Sequence, residues 1–472
     1  MNKTKLFILS ILFCIPFPGL TQKVYLSTKE SLSTRPMPAW YNNAKLGIFI
    51  HWGLYSVPAW ATPLTTPDKV TDWPAFYKNN PYAEWYLNTL KIAGSPTQAH
   101  HKKVYGPNYN YYSFADTLSR QTKNWQAETW AETFSAIGAR YVVFTTKHHD
   151  GYVMYPSRVT NPFFDSRDST SKRDFAGEIA TAVRKKGLKF GVYYSGGLDW
   201  TFYRSPITNL WPDLFQSMPK SVAYTAYADA HYLELIHRYS PDILWNDVNY
   251  PENGALTDIF AESITANPDV VMNDRWRRYN ELTHFSTPEY VIMDTVTRHK
   301  WETCRGIGYS FGYNQVEGSK QLLTSKELIN MLVDIVSKNG NLLINVGPKA
   351  DGTIPENQLA PLKDLGKWLK QNGEGIYDTK PWTRPAQILD DKTEIRFTRK
   401  DKTLFMFLLS IPKNRIISIP DITLLQGAKA TLVGEKNMDL RLTALSGQAQ
   451  IELPEKLAYQ AAFLIKISGL AD

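Results

Sequence analysis

The 472-residue chain has only two cysteines, Cys14 and Cys304, which excludes a disulfide-held scaffold. Long apolar runs are also missing. Past the N-terminus none nears the roughly 18 residues needed to cross a bilayer, so no membrane insertion is expected. Charge of one sign is not concentrated: 53 Lys+Arg against 45 Asp+Glu leave +8. No block of consecutive basic residues offers a nucleic-acid arm, and no nucleic-acid partner is expected. With 43% hydrophobic and 21% charged residues, a disordered chain and a coiled coil are excluded as well. No glycine fingerprint follows the first strand-like run, and neither a P-loop nor a Ser-His-Asp order is present. GVYYSGG fits neither G-x-S-x-G nor a phosphate loop. Aromatic residues, by contrast, are abundant: 14 Trp, 27 Tyr and 21 Phe. They make either a heavy core or flat platforms for ligands, sugars among them.

The N-terminus reads as an address. Lys3 and Lys5 precede an apolar stretch from Leu6 to Ile15, Pro16 and Pro18 break it, and Gly19-Leu20-Thr21 offers a cleavage site. Residues 1–21 are therefore expected to be a cleaved signal peptide and the protein secreted or periplasmic. Cleavage would leave Cys304 as the sole thiol, so stability must come from packing.

All nine His and all fourteen Trp lie at or before Trp382. The following stretch alternates instead, with Ile395 and Phe397 on one face, then TLFMFLLS, IISIP, KATLV and AAFLIKI, the pattern of an antiparallel β module. The expected division is a catalytic domain over 22–382 and a β-sandwich over 383–472. Ahead of it, six apolar runs alternate with amphipathic helical stretches: LGIFI, YVVFTT, LKFGVYY, ILW, VVMN and LLINV. One such helix spans 125–137 and stops at Gly138; another opens at Thr324, where Glu327 completes a capping box, and closes at Gly340. Strand and helix in alternation give a parallel sheet, and this spacing suits a (β/α)8-like barrel better than a doubly wound sheet.

Each strand-like run ends in polar side chains: His51-Trp52-Gly53, Lys147-His148-His149-Asp150, Ser195-Gly196-Gly197, Asn246-Asp247 and Asp274-Arg275. In parallel barrels, active sites form at the carboxyl ends of strands. Singly, each piece has a plainer reading. Adjacent His148 and His149 on an extended strand would face opposite sides, one packed in the core, and without a further paired His no metal site is expected. Arg275 could be a structural ion-pair partner, and Trp52, Trp60, Trp85 and Trp200 could be core. Asp247, a lone carboxylate closing an apolar strand with Trp245 on the same face, could be a buried structural group. Retaining cleavage of a glycosidic bond needs a second carboxyl nearby. The candidates are Glu84, Glu289 and Glu302.

GIFIHWGLYSVPAW, EWY, YVVFTTKHHDGY, GVYYSGGLDW, ILWNDV, NDRW, TPEY, WETCRGIGYSFGYN and LLINVGPKADG, in this order, resemble the α-L-fucosidases of glycoside hydrolase family 29 over about residues 37–382. The resemblance implies a retaining exo-hydrolase with a (β/α)8-like catalytic domain, a C-terminal β-sandwich and neither metal nor organic cofactor. It implies Asp247 as nucleophile and Glu289 as general acid/base. His51, Glu84, Trp85, His148, His149, Tyr194, Trp245, Arg275 and Phe311 would bind the sugar. A fucosylated oligosaccharide or glycoconjugate would be the partner, and the loops 60–82 and 249–253 would set its linkage. Between Glu289 and Glu302 the sequence favours the former: it follows Pro288, which suits a loop reaching over a pocket, whereas Glu302 sits in a strand-like segment.

Overall fold

The computed structural model describes residues 24–63, 70–164, 169–276 and 278–471. The expected signal peptide lies outside these. Seven parallel strands form the first sheet: β1 (Leu46–Ile50), β2 (Tyr141–Lys147), β3 (Lys189–Ser195), β4 (Ile243–Asp247), β5 (Val271–Met272), β6 (Trp301–Gly306) and β7 (Gly340–Val346). Their order is β5-β4-β3-β2-β1-β7-β6, so β5 and β6 would be its edges. The segment 285–289 fills the space between them through parallel bridges Asn273–Phe285, Ser286–Trp301 and Glu289–Cys304. With this eighth stave the sheet curls into a (β/α)8-like barrel. Six of its strands coincide with apolar runs. The other two staves carry no such run: WETCRG mixes charge with aromatics, and FSTPE is polar and holds a proline, which donates no ladder hydrogen bond.

Alternation sorts the strand residues into two cores. Phe49, Val143, Tyr193, Ile243, Trp245 and Leu343 point into the lumen, while Ile48, Val142, Val192, Tyr194, Leu244 and Ile344 pack outward against the helices. Gly47 serves the lumen's geometry. A Cβ there would stand 2.2 Å from the Tyr141 ring, which needs that space to bring its hydroxyl to Glu302. The helix Ala127–Ile137 ends on Gly138 at φ 94°, a left-handed cap that glycine adopts without strain. The helix Ser325–Ser337 starts with both hydrogen bonds of the Thr324/Glu327 capping box. It ends at Lys338, and Gly340 opens β7 instead.

The second sheet is antiparallel, made of β8 (Lys380–Ile388), β9 (Glu394–Lys400), β10 (Thr403–Leu408), β11 (Ile416–Pro420), β12 (Leu424–Leu432), β13 (Met438–Leu445), β14 (Gln448–Glu452) and β15 (Phe463–Leu470). Its order is β11-β14-β13-β12-β15-β10-β9-β8. The sheet folds over its own core of Ile395, Phe397, Met406, Ile417, Ile451 and Ile465. That fold brings the two edges together, where Gln387 on β8 donates to the Ser418 carbonyl of β11 at 2.8 Å. Strand β8 straddles the expected 382/383 division. The sheet's other face joins the barrel: Phe405, Phe407 and Leu464 share the outer core of the first sheet, and Trp368 Nε1 donates to the Ala462 carbonyl at 2.8 Å.

Candidate active site

At the carboxyl end of the barrel a cavity of about 140 Å³ is lined by His51, Tyr82, Glu84, Trp85, His148, His149, Tyr193, Trp245, Asp247, Arg275, Glu289, Cys304 and Phe311, among others. Larger clefts occur elsewhere on the protein, one of about 720 Å³ along Tyr112, Asp116, Lys123 and Arg173. The smaller cavity is the one where the strand-end polar groups converge.

Asp247 closes β4 and is 8% exposed. Its Oδ1 accepts from Arg275 Nη1 at 2.8 Å and from the Val248 backbone N–H at 2.9 Å, and its Oδ2 accepts from the Tyr193 hydroxyl at 2.7 Å. Its carbonyl oxygen accepts from Gly196 and Gly197 N–H, which pins the end of β4 to the loop after β3. The next two residues, Val248 and Asn249, hold φ of 53° and 68°, a conformation costly for a β-branched valine. That bend turns the Val248 N–H back onto the carboxylate. Burial alone would raise the Asp247 carboxyl, but the Arg275 guanidinium, with the Tyr193 hydroxyl, holds it below the ordinary range.

Arg275 follows β5 and is aimed by the eighth stave: Nε donates to Thr287 Oγ1 and Nη2 to the Thr287 carbonyl, both at 3.0 Å. The guanidinium lies over the Trp245 ring at 4.7 Å, and Nη2 reaches Glu289 Oε2 at 3.3 Å. One cation therefore touches both carboxylates. Glu289, at the end of the eighth stave, has a side chain 37% exposed toward the mouth. The surrounding protein raises its carboxyl above the usual value, Arg275 pulls the other way, and ionised Asp247 adds to the rise.

Glu302 is the contrast. Its carboxylate is fully buried in the lumen and accepts from Tyr41 OH, Tyr141 OH and Trp245 Nε1. It does not line the cavity. Glu84 does: it is 2% exposed, accepts from Gly312 N–H at 2.7 Å, lies 3.2 Å from Ser310 Oγ, and is pushed up to about 8 by burial.

The two histidines after β2 depart from the sequence expectation of opposite faces. The strand ends at Lys147 and the chain turns, so His148 and His149 both enter the cavity, with ring centroids 4.0 Å apart. Burial drives His51 down to about 4 and His149 to about 3, which keeps both imidazoles neutral. Among the described residues no group of three or more His, Cys, Asp or Glu is arranged to hold a metal ion.

One expected residue is displaced. Tyr194 is wholly buried on the outer face of β3, where its hydroxyl meets His231 Nδ1 at 3.0 Å. It does not reach the cavity; Tyr193 does. Side chains alternate along a strand, and in VYYS two adjacent tyrosines leave the sequence with no apolar or polar contrast to tell inside from outside. Trp245 pairs with Tyr193 across β3–β4 and stacks on it at 5.6 Å, so the lumen face of β4 selects the tyrosine. Tyr82 and Tyr193 also line the cavity, where no strand-end polar pattern marks them, and so does Cys304. Trp60 stacks on His100 and Trp52 packs against Trp125 and Trp130, both away from the cavity.

Converging carboxylates at the carboxyl end of a parallel barrel, backed by a β domain, define the class: a barrel enzyme acting on a small polar substrate. A family model described as "Alpha-L-fucosidase" matches residues 16–374. Tissue alpha-L-fucosidases of Bos taurus and Homo sapiens are each 31% identical, covering 94% of this chain and 92% of their own. A Thermotoga maritima alpha-fucosidase solved with a mechanism-based inhibitor has a TM-score of 0.84 at 42% identity, covering 94% of this chain and all of that one. The same protein solved with fucose gives 0.83 at 41%, with the same coverage. The chain belongs to the α-L-fucosidase family, glycoside hydrolase family 29, whose enzymes hydrolyse fucosides.

Proposed function

We propose that the protein is a retaining exo-α-L-fucosidase that removes terminal fucose from a fucosylated oligosaccharide or glycoconjugate through a covalent fucosyl-Asp247 intermediate. The observation that carries this reading is the single guanidinium touching both Asp247 and Glu289. It holds the two carboxyls near one another at the wall of a small cavity, where they can flank a scissile bond from its two sides, as double displacement requires. Their charges are set apart in the right sense: Asp247 is held ionised and Glu289 is pushed toward protonation. In the first step the Asp247 carboxylate attacks the anomeric carbon while Glu289 gives its proton to the departing glycosidic oxygen. In the second, Glu289 takes a proton from water, which displaces Asp247 and releases fucose of unchanged configuration.

The neutral His51, His148 and His149, Glu84 and Arg275 would read the hydroxyls, while Trp85, Trp245 and Phe311 supply apolar surface for the ring face and the 6-methyl. Tyr193 takes the place expected of Tyr194. Secretion or export to the periplasm after loss of residues 1–21, and a catalytic unit over 22–382 followed by a non-catalytic β-sandwich, belong to the same proposal. Hydrolysis of a nitrophenyl α-L-fucoside followed by proton NMR tests it. α-L-fucose should appear first and mutarotate later. First release of the β-anomer overturns the mechanism; preference for another nitrophenyl glycoside overturns the substrate.

A further inference from the structure

We infer that Ser195 and Asn345, neither of which lines the cavity, are positioning residues that fix His149 and His51 as Nδ1–H tautomers, so both offer Nε2 lone pairs to hydroxyl donors. Ser195 is fully buried and Asn345 is 2% exposed. Ser195 Oγ lies 2.7 Å from the Leu198 carbonyl oxygen. A carbonyl has no proton to give, so the hydroxyl donates there. Its 2.6 Å contact with His149 Nδ1 must then use the imidazole proton. Asn345 repeats the logic. Its Nδ2 donates to the Phe311 carbonyl at 2.7 Å, which turns Oδ1 toward His51 Nδ1, 2.7 Å away, and requires that nitrogen to carry the hydrogen. In a neutral imidazole the other nitrogen is then bare.

The consequence at Asp247 is specific. His149 Nε2 stands 3.8 Å from Asp247 Oδ2. The opposite tautomer would aim an N–H at that carboxylate and tie up a lone pair the attack uses. The Ser195 relay adds no second donor to Oδ2, which already accepts from the Tyr193 hydroxyl, and leaves two acceptors side by side, a place where a ligand hydroxyl must enter as a donor. His148 is the internal control: its Nδ1 is buried with no partner, so no protein group fixes its tautomer. The tautomers follow from hydrogen bonds alone; their use in catalysis rests on the fucosidase mechanism proposed above.

The test is a two-bond ¹H–¹⁵N correlation spectrum of the full chain labelled with ¹⁵N-histidine, with His51→Gln and His149→Gln spectra assigning the signals. His51 and His149 should both show the Nδ1–H pattern. Ser195→Ala should release His149 from it and leave His51 unchanged. Asn345→Asp, which keeps an acceptor, should preserve the His51 pattern, and Asn345→Leu should lose it. At neutral pH, Ser195→Ala should lower kcat/KM for an aryl fucoside on the order of ten- to a hundredfold, as loss of an orienting partner does for a ligand histidine. An Nε2–H pattern for either residue in the unsubstituted protein, or a His149 pattern indifferent to Ser195→Ala, overturns the inference. If the spectra are as expected but no fucoside is cleaved, the mechanism falls and the tautomer assignment stands.

Discussion

Glu289 and Glu302 sit on neighbouring staves of one barrel, and their surroundings give them opposite fates. Glu302 meets two phenol hydroxyls and an indole N–H, three donors that satisfy it completely in the lumen. Glu289 has a single cation at 3.3 Å, shared with Asp247, and an open side toward the cavity mouth. A buried polar group with all its partners holds a fold together; one left with unused capacity beside a cavity can exchange a proton. The same contrast separates the barrel from the second sheet, whose inward faces carry Ile, Leu, Met and Phe and whose charges lie on the surface or at the junction.

The sharpest break in that comparison comes at Asp247. Asp247→Gly should lower kcat on an aryl fucoside by roughly 10³-fold or more, with azide restoring turnover and yielding the inverted β-fucosyl azide. Near-normal turnover would remove Asp247 from the chemistry.

Next in size is Glu289→Ala, expected to slow hydrolysis of natural fucosides by about 10²- to 10⁴-fold, the range a general acid supplies. A good aryl leaving group should largely spare it, and azide should give the retained α-product. If that leaving-group signature appeared instead in a Glu302 variant, the contrast would be inverted.

Glu302→Leu should act on stability. It leaves three buried donors unpaired at about 1–3 kcal/mol each, so chemical denaturation should show a loss of about 3 kcal/mol or more. The folded fraction should keep its relative rates across leaving groups.

Arg275→Gln sharpens the comparison through pH. Arg275 lowers both Asp247 and Glu289, so its removal should raise both. Activity needs Asp247 ionised and Glu289 protonated; it is lost as pH falls through the first value and as pH rises through the second. Both limbs of the kcat/KM profile should therefore move to higher pH. Limbs moving in opposite directions would show that the guanidinium is not the shared partner.

The smallest effect belongs to the junction. Arg396 pairs with Asp334 and Glu394 while 13% exposed, and Arg396→Ala should cost about 1 kcal/mol with kcat unchanged. A large fall in kcat would give the β domain a role in the chemistry that its composition does not suggest.

Local chemistry wrote much of this molecule into its sequence. The apolar runs mark six strands because a stave buried on both faces loses least when it is apolar along its length. The Thr324/Glu327 box and Gly138 mark helix ends because those residues satisfy orphan backbone groups. The polar residues that follow the runs mark the site, since a barrel's carboxyl end is where such groups find solvent and one another. The strand setting of Glu302 was legible too, whereas Glu289, expected on a loop after Pro288, is instead paired with Cys304 at the end of the eighth stave. Tertiary structure alone decided the rest. The eighth stave, 285–289, has no apolar pattern and takes its place because β5 and β6 leave a gap of one strand. Tyr193 rather than Tyr194 faces the cavity because register against Trp245 chooses between identical neighbours. His148 and His149 enter together because the strand stops at Lys147. The bare Nε2 atoms of His51 and His149 depend on carbonyls of Phe311 and Leu198, which turn the Asn345 amide nitrogen and the Ser195 hydroxyl proton away from the imidazoles. Each of these depends on which atoms lie within 3 Å of one another across distant segments, and no local pattern encodes that.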